Sequence, residues 1–170
     1  MIYIGIDPGL TGAIGVLDHK GQYLEVIDLP TREKEANGKV KKKIDSKELC
    51  KTFERITDLG SIPSFCIVEA QTVYGGIHPG TQASILESYG AIQACLEIEE
   101  MHFDVAWPSS WKSKMGLTKK PKDYSTAMAI RMFQQAPLRR SKDHNRAEAL
   151  LLAKLAMDLH LADIPQAANG

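Results

Sequence analysis

The sequence predicts an α/β chain built on a mixed β-sheet flanked by helices, and three observations carry that prediction. Three strand-like segments lie within the first 28 residues, joined by connections too short for anything but antiparallel neighbours. From residue 45 onward, helical and strand patterns alternate, which calls for crossover units and parallel strands. The length, 170 residues with 44% hydrophobic and 25% charged, suits one domain able to bury a core without disulfides or structural metal.

Each element can be read in order. Residues 2–6 (IYIGI) are a β-branched run ending at Asp7-Pro8-Gly9, a strand entering a tight turn. Residues 11–17 and 22–28 supply the next two strands, separated by Asp18-His19-Lys20-Gly21. Residues 31–43 are polar and charged with Asn37-Gly38 in their middle, which reads as a mobile loop or hairpin tip. Ile44, Leu49, Phe53, Ile56 and Leu59 recur at helical spacing, so residues 45–59 form a helix with Gly60 as its stop. The continuous apolar run 65–68 (FCIV) suits a buried central strand. After a Gly/Pro-rich loop at 74–80, residues 81–99 carry Ile85, Leu86, Tyr89, Ile92 and Leu96 on one helical stripe. Residues 103–107 form a short strand stopped by Pro108, residues 123–135 a helix before Pro137, and residues 145–161 the last, Ala/Leu-rich helix. There is no internal repeat, so residues 1–163 read as a single domain and 164–170 as a flexible tail.

Cys50, Cys66 and Cys95 are odd in number and widely spaced, with no CxxC pair, which points to reduced thiols rather than a zinc site. The start lacks a basic region before its apolar run, and no later stretch is long enough to span a bilayer. A cytoplasmic protein is expected. Net charge is zero, but its distribution is uneven. Between Trp111 and Lys142 stand nine basic residues against Asp123 alone, a local charge of +8. Lys39, Lys41, Lys42 and Lys43 form a second cluster, while Glu97, Glu99 and Glu100 sit elsewhere. A single lysine run is usually a solvated face; segregation of this kind points to an anionic partner.

The chemistry is expected where carboxylates end apolar strands. Asp7 follows IYIGI and Glu69 follows FCIV. A carboxylate at the end of a buried strand must be solvated, paired or bound to a cation, and the crevice beyond the carboxyl ends of parallel strands is where α/β sheets place ligands. Glu148 lies early in the last helix on its Ala/Leu-rich face, anomalous unless it points into a polar site. Asp143 suits the N-cap of that helix. Oxygen ligands converging from two strands and a helix start suit Mg²⁺, with Mn²⁺ as a substitute.

These motifs bear a specific resemblance. IGIDPGLTGAIGV, the VEA of residues 68–70 and the AEALLLA of residues 147–153 resemble, in order and spacing, the acidic motifs of the RuvC Holliday-junction resolvases. That family is a branch of the ribonuclease H-like superfamily, and Glu in the last motif is a phage-type feature. The resemblance implies a ribonuclease H-like fold and a homodimeric, metal-dependent endonuclease that nicks a four-way DNA junction through a metal-activated water. By motif, Asp7, Glu69 and Glu148 carry over as metal ligands. Lys112 and Lys122 stand where the family keeps basic residues near the scissile phosphate, with Lys114, Lys119 and Lys120 as further DNA contacts. Tyr74 stands near the family's branch-point aromatic, where an exposed ring could stack on a base. The family's acid or His three residues before the last acid is here Asn145. The fourth ligand is therefore expected to be Asp143, because Mg²⁺ prefers oxygen, with His144 its rival as ligand or water-positioning base. Other readings are a nuclease of flap DNA or RNA on the same fold, and a catalytically dead junction-binding protein. An actin-like nucleotide-binding protein would need a second glycine loop that is not there.

Overall fold

The computed structural model describes residues 1–36, 38–58, 63–73, 75–140 and 143–163. The sheet begins with a meander of β1 (Ile2–Asp7), β2 (Ala13–Leu17) and β3 (Tyr23–Asp28). It continues on the other side of β1 with β6 (Ser64–Glu69) and β7 (Phe103–Ala106), giving the order β3-β2-β1-β6-β7. The β1–β2 and β2–β3 pairs are antiparallel; β1–β6 and β6–β7 are parallel. The fold is thus the mixed sheet flanked by helices that the sequence predicts.

Strand alternation divides the core in two. Ile2, Ile4 and Ile6 of β1 pack with Cys66 and Val68 of β6 against α1 (Ser46–Asp58) and α2 (Pro79–Ile98). Tyr3 and Ile67 belong to the opposite face, under α5 (His144–Asp163). There Gly5 and Gly15, paired across β1 and β2, leave no room for a side chain. A Cβ on Gly5 would lie 2.1 Å from the Ala153 backbone nitrogen, and one on Gly15 2.7 Å from the Ala149 carbonyl carbon. Two glycines facing Ala149 and Ala153 let the α5 backbone rest directly on the sheet, which fixes how far its first turns reach over the strand ends.

Three local readings change. Residues 31–43, expected as a loop or hairpin tip, contain a regular antiparallel ribbon, β4 (Thr31–Ala36) with β5 (Lys39–Ile44). Its strands are largely solvent-exposed, so no apolar alternation marks them. Pro108, expected only as a strand stop, opens a short helix, α3 (Pro108–Lys114), where the missing N–H of proline costs nothing. The helix expected at 123–135 is α4 (Lys122–Met132), ending three residues earlier at Met132, with the buried Phe133 as its C-cap. The ends of the first helix and of the chain, Leu59, Gly60 and 164–170, lie outside the described residues. Among the described residues no helix is long and apolar enough to cross a membrane.

Candidate functional site

Ile6 pairs with Val68 in the parallel ladder, so Asp7 and Glu69 are the next residues on adjoining strands, at the same edge of the sheet. They share strand parity with Tyr3 and Ile67, which places both on the face covered by α5. Glu148 comes down onto them from the second turn of that helix. All three are nearly enclosed: Asp7 and Glu69 are 8% exposed and Glu148 5%.

The carboxylates feel one another. Burial, then the charges of Glu69 and Glu148, raise the Asp7 carboxyl well above the usual range against the pull of Lys112 and Lys122. Glu69 is raised by burial and by Glu148, opposed by the Trp111 indole, whose Nε1 donates to Glu69 Oε2 at 2.7 Å. Lys112 Nζ lies 2.9 Å from Glu148 Oε1 and 5.1 Å from the centre of the Trp111 ring. Ser125 Oγ donates to Glu148 Oε1 at 3.2 Å. α3 and α4 therefore hold the acids from the side: Trp111 orients Glu69, while Lys112 and Ser125 orient Glu148.

Asp143 and His144 stand differently toward Glu148. The Asp143 carboxylate is fully covered and committed to Arg140, accepting from its backbone N–H and from its Nε, each at 2.6 Å. Burial would raise this carboxyl, but the Arg140 bonds outweigh it and hold it below its usual value. A buried carboxylate needs such donors, and Arg140 is only three residues back along the turn. His144 instead faces Glu148, with Nδ1 3.9 Å from Oε1, too long for a hydrogen bond. That Nδ1 is buried and has no hydrogen-bond partner. Burial and the neighbouring Lys122 and Lys112 keep the imidazole below its ordinary pKa despite Glu148, which favours the neutral ring. Asn145 turns away, donating to the Thr11 carbonyl at 2.6 Å.

Among the described residues no group of three or more His, Cys, Asp or Glu side chains is arranged to hold an ion as it stands. The donor chemistry nevertheless fits a hard divalent cation. Of the three enclosed carboxylates, Glu148 pairs with an ammonium, that of Lys112, while Asp7 and Glu69 feel it only as a charge, and an imidazole nitrogen without a hydrogen-bond partner stands beside them. Lys122 reaches Asp7 and His144 by charge alone. Of the other predicted basic residues, Lys120 lies over the Tyr124 ring at 5.1 Å, and Lys114 and Lys119 are exposed. Tyr74 lies outside the described residues. The sequence reading missed Trp111 and Ser125. The first carried a signal, since a buried indole N–H requires an acceptor; an isolated serine carries none.

A cleft of about 990 Å³ opens beside this site, with Lys122, His144 and Asn145 on its lining together with Thr31, Lys42, Thr126 and Ile130. No protein-family model matches the chain, and no curated protein matches it. Among solved structures, RuvC of T. thermophilus in complex with a Holliday junction substrate matches with a TM-score of 0.62 at 19% identity, over 96% of this chain and 97% of that one. A second Thermus thermophilus RuvC structure matches with a TM-score of 0.55, also at 19% identity, over 95% and 97%. At this identity the likeness establishes a RuvC-like fold.

Proposed function

We propose that this chain is a metal-dependent, structure-selective endonuclease that cuts branched DNA at four-way junctions. The observation that carries the reading is the convergence of Asp7, Glu69 and Glu148 at one edge of the sheet, nearly enclosed, with one lysine ammonium paired to Glu148. Structural carboxylates are paired by arginine or by several N–H groups, as Asp143 is; these three are left short of positive charge.

Asp7, Glu69 and Glu148 would hold Mg²⁺ or Mn²⁺, with His144 Nδ1 rather than Asp143 as the fourth donor. The bound cation would supply an activated water and stabilise charge on the scissile phosphate. The protein's own share is positional. Trp111 fixes the rotamer of Glu69, Ser125 fixes that of Glu148, and α5, seated on Gly5 and Gly15, fixes the height of the helix above the strand ends. Lys112, which neutralises Glu148 in the free protein, can turn its ammonium to a phosphate oxygen when substrate supplies the competing anion. Lys122, on the cleft lining, adds positive potential along the approach.

Branched DNA is preferred over flap DNA or RNA because the structural neighbour of TM-score 0.62 is a complex with a Holliday junction substrate. Glu148 in the last motif agrees with a phage-type member. Paired nicks on a roughly two-fold junction require two sites in one complex, so a homodimer is part of the proposal. End-labelled four-way junction, flap, duplex and RNA–DNA hybrid, incubated with Mg²⁺, test it: symmetric nicks confined to the junction are expected. Cleavage of hybrid or flap with the junction left intact would overturn the substrate assignment.

A further inference from the structure

The ribbon of β4 and β5 springs from the catalytic edge of the sheet. Asp7 pairs with Ala13 and Ala13 with Asp28, three residues before β4 begins, and Asp45 N donates to Pro30 O at 2.9 Å to close the ribbon's base. Its register sorts its charges. Arg32 lies opposite Lys43 and Lys34 opposite Lys41, so four cations share one face. Glu33 opposite Lys42 and Glu35 opposite Val40 occupy the other. Like charges placed directly across a ladder destabilise the pairing. Charged residues do guard exposed ribbon edges against aggregation, but alternating signs across the ladder would serve that purpose without the repulsion. The two glutamates are present in β4 and fall on the wrong face to provide it.

The cationic face is not buried against acids that would explain it. Among the described residues, Glu87 of α2 pairs with Lys43 and is the acid that lines the small cleft there, about 140 Å³, beside Arg32, Lys34 and the hydroxyl-bearing Ser46 and Ser84. Lys42 lines both this cleft and the larger one that leads to His144 and Lys122. Lys42 thus stands between the cleft beside the carboxylate site and the one that Arg32, Lys34 and Lys43 line.

We propose that the ribbon is a second nucleic-acid contact, its Arg32/Lys34/Lys41/Lys43 face holding the backbone phosphates of the duplex arm that leads away from the cleavage site. This rests on the nuclease reading for the identity of the duplex, not for the presence of the anion site. Cations at two-residue spacing on both strands give a short, dense row of donors that reads charge and not sequence, so the ribbon should contribute affinity without base preference.

The test is the variant Lys34→Gln/Lys41→Gln, with equilibrium binding to a four-way junction and a linear duplex over a range of salt, without divalent metal. Binding is expected to weaken roughly ten-fold at low salt on both DNAs. The slope of log K against log salt should fall by about 0.9 for each phosphate that the variant no longer neutralises. The melting temperature should stay level or rise, because a like-charge pair has been removed. Binding within two-fold of wild type at an unchanged slope would overturn the proposal. So would a loss of binding accompanied by a lowered melting temperature and restored by neither Lys34→Arg nor Lys41→Arg. The nuclease reading fails separately: wild type that binds DNA through the ribbon yet cuts nothing in Mg²⁺ leaves the ribbon's role standing and removes only the catalytic assignment.

Discussion

Replacing Asp7 with Asn should make the metal-free protein more stable while abolishing cleavage. Asp7 is almost enclosed, and its carboxyl is raised first by burial and then by Glu69 and Glu148. A raised carboxyl pKa means that the folded state resists ionisation. The resulting penalty is absent below the unfolded-state pKa and grows as pH rises, reaching its full size once the folded pKa is passed. Each tenfold weakening of the acid on folding costs about 1.4 kcal/mol. Removing the charge at about pH 8 in chelator should therefore raise the melting temperature, by roughly 2–4 °C for each kcal/mol of that penalty in a chain this long. The advantage should fade as pH falls below about 4, the unfolded-state pKa, where Asp7 becomes protonated in both states. Magnesium reverses the order. A ligand at about one hundred times its dissociation constant stabilises the folded state by about 2.7 kcal/mol, and wild type should collect that gain while Asp7→Asn does not. Thermal melts in chelator and in Mg²⁺ at both pH values provide the assay. A variant less stable than wild type in chelator, or equally stabilised by Mg²⁺, would refute the claim that Asp7 is an uncompensated metal-binding charge.

Other substitutions separate the parts of the site. Lys112→Met removes the ammonium on Glu148 and should tighten Mg²⁺ binding by calorimetry about ten-fold, since a unit charge at a few ångströms carries that much at intermediate dielectric, while cleavage falls; unchanged Mg²⁺ affinity would count against Lys112 as the resident counter-ion. Arg140→Ala removes the guanidinium from Asp143 but keeps the backbone N–H of residue 140 and Arg146, 3.8 Å away, and should lower the midpoint of urea melts; an unchanged midpoint would mean that the backbone N–H alone satisfies the carboxylate. His144→Ala should leave stability near wild type, because Nδ1 makes no bond, yet raise the Mg²⁺ concentration needed for cleavage; a large loss of stability would place His144 in the scaffold. Gly15→Ala drives a Cβ into the α5 backbone, with no side chain able to yield, and should destabilise by about 3 kcal/mol; a melting temperature within a degree or two of wild type would mean that α5 does not sit as described.

How much of the fold and site is legible in the sequence depends on whether a residue's partner lies nearby along a regular element. The sheet is legible because Ile2, Ile4 and Ile6 alternate with Tyr3, Gly5 and Asp7, and because FCIV is apolar throughout. Asp7 and Glu69 stand out because a carboxylate that ends such a strand has no packing reason to be there. The ribbon is illegible for the opposite reason: its residues are largely solvent-exposed and its ladder sets cation opposite cation, so neither hydrophobic period nor charge alternation marks it in the sequence. Trp111 and Ser125 reach acids 42 and 23 residues distant in the chain, through the α3 and α4 placements that no local pattern sets.

The fourth ligand is where residue chemistry alone misleads. Oxygen suits magnesium, which favours Asp143, but that preference ignores what else a buried carboxylate must find. Its position, three residues after Arg140, lets one turn of chain close a charge-assisted ring that satisfies it completely. His144 enters α5 one residue later, four before Glu148, and the helical repeat then sets the two side chains on one face. Neighbouring residues at a helix start point in directions about a hundred degrees apart, so the repeat that brings His144 to Glu148 turns Asp143 away from it. The seating of α5 on the sheet is fixed a turn further on, where Ala149 and Ala153 rest on Gly15 and Gly5. The glycine pair in the first two strands therefore sets the height at which that face of α5, His144 and Glu148 together, meets Asp7 and Glu69.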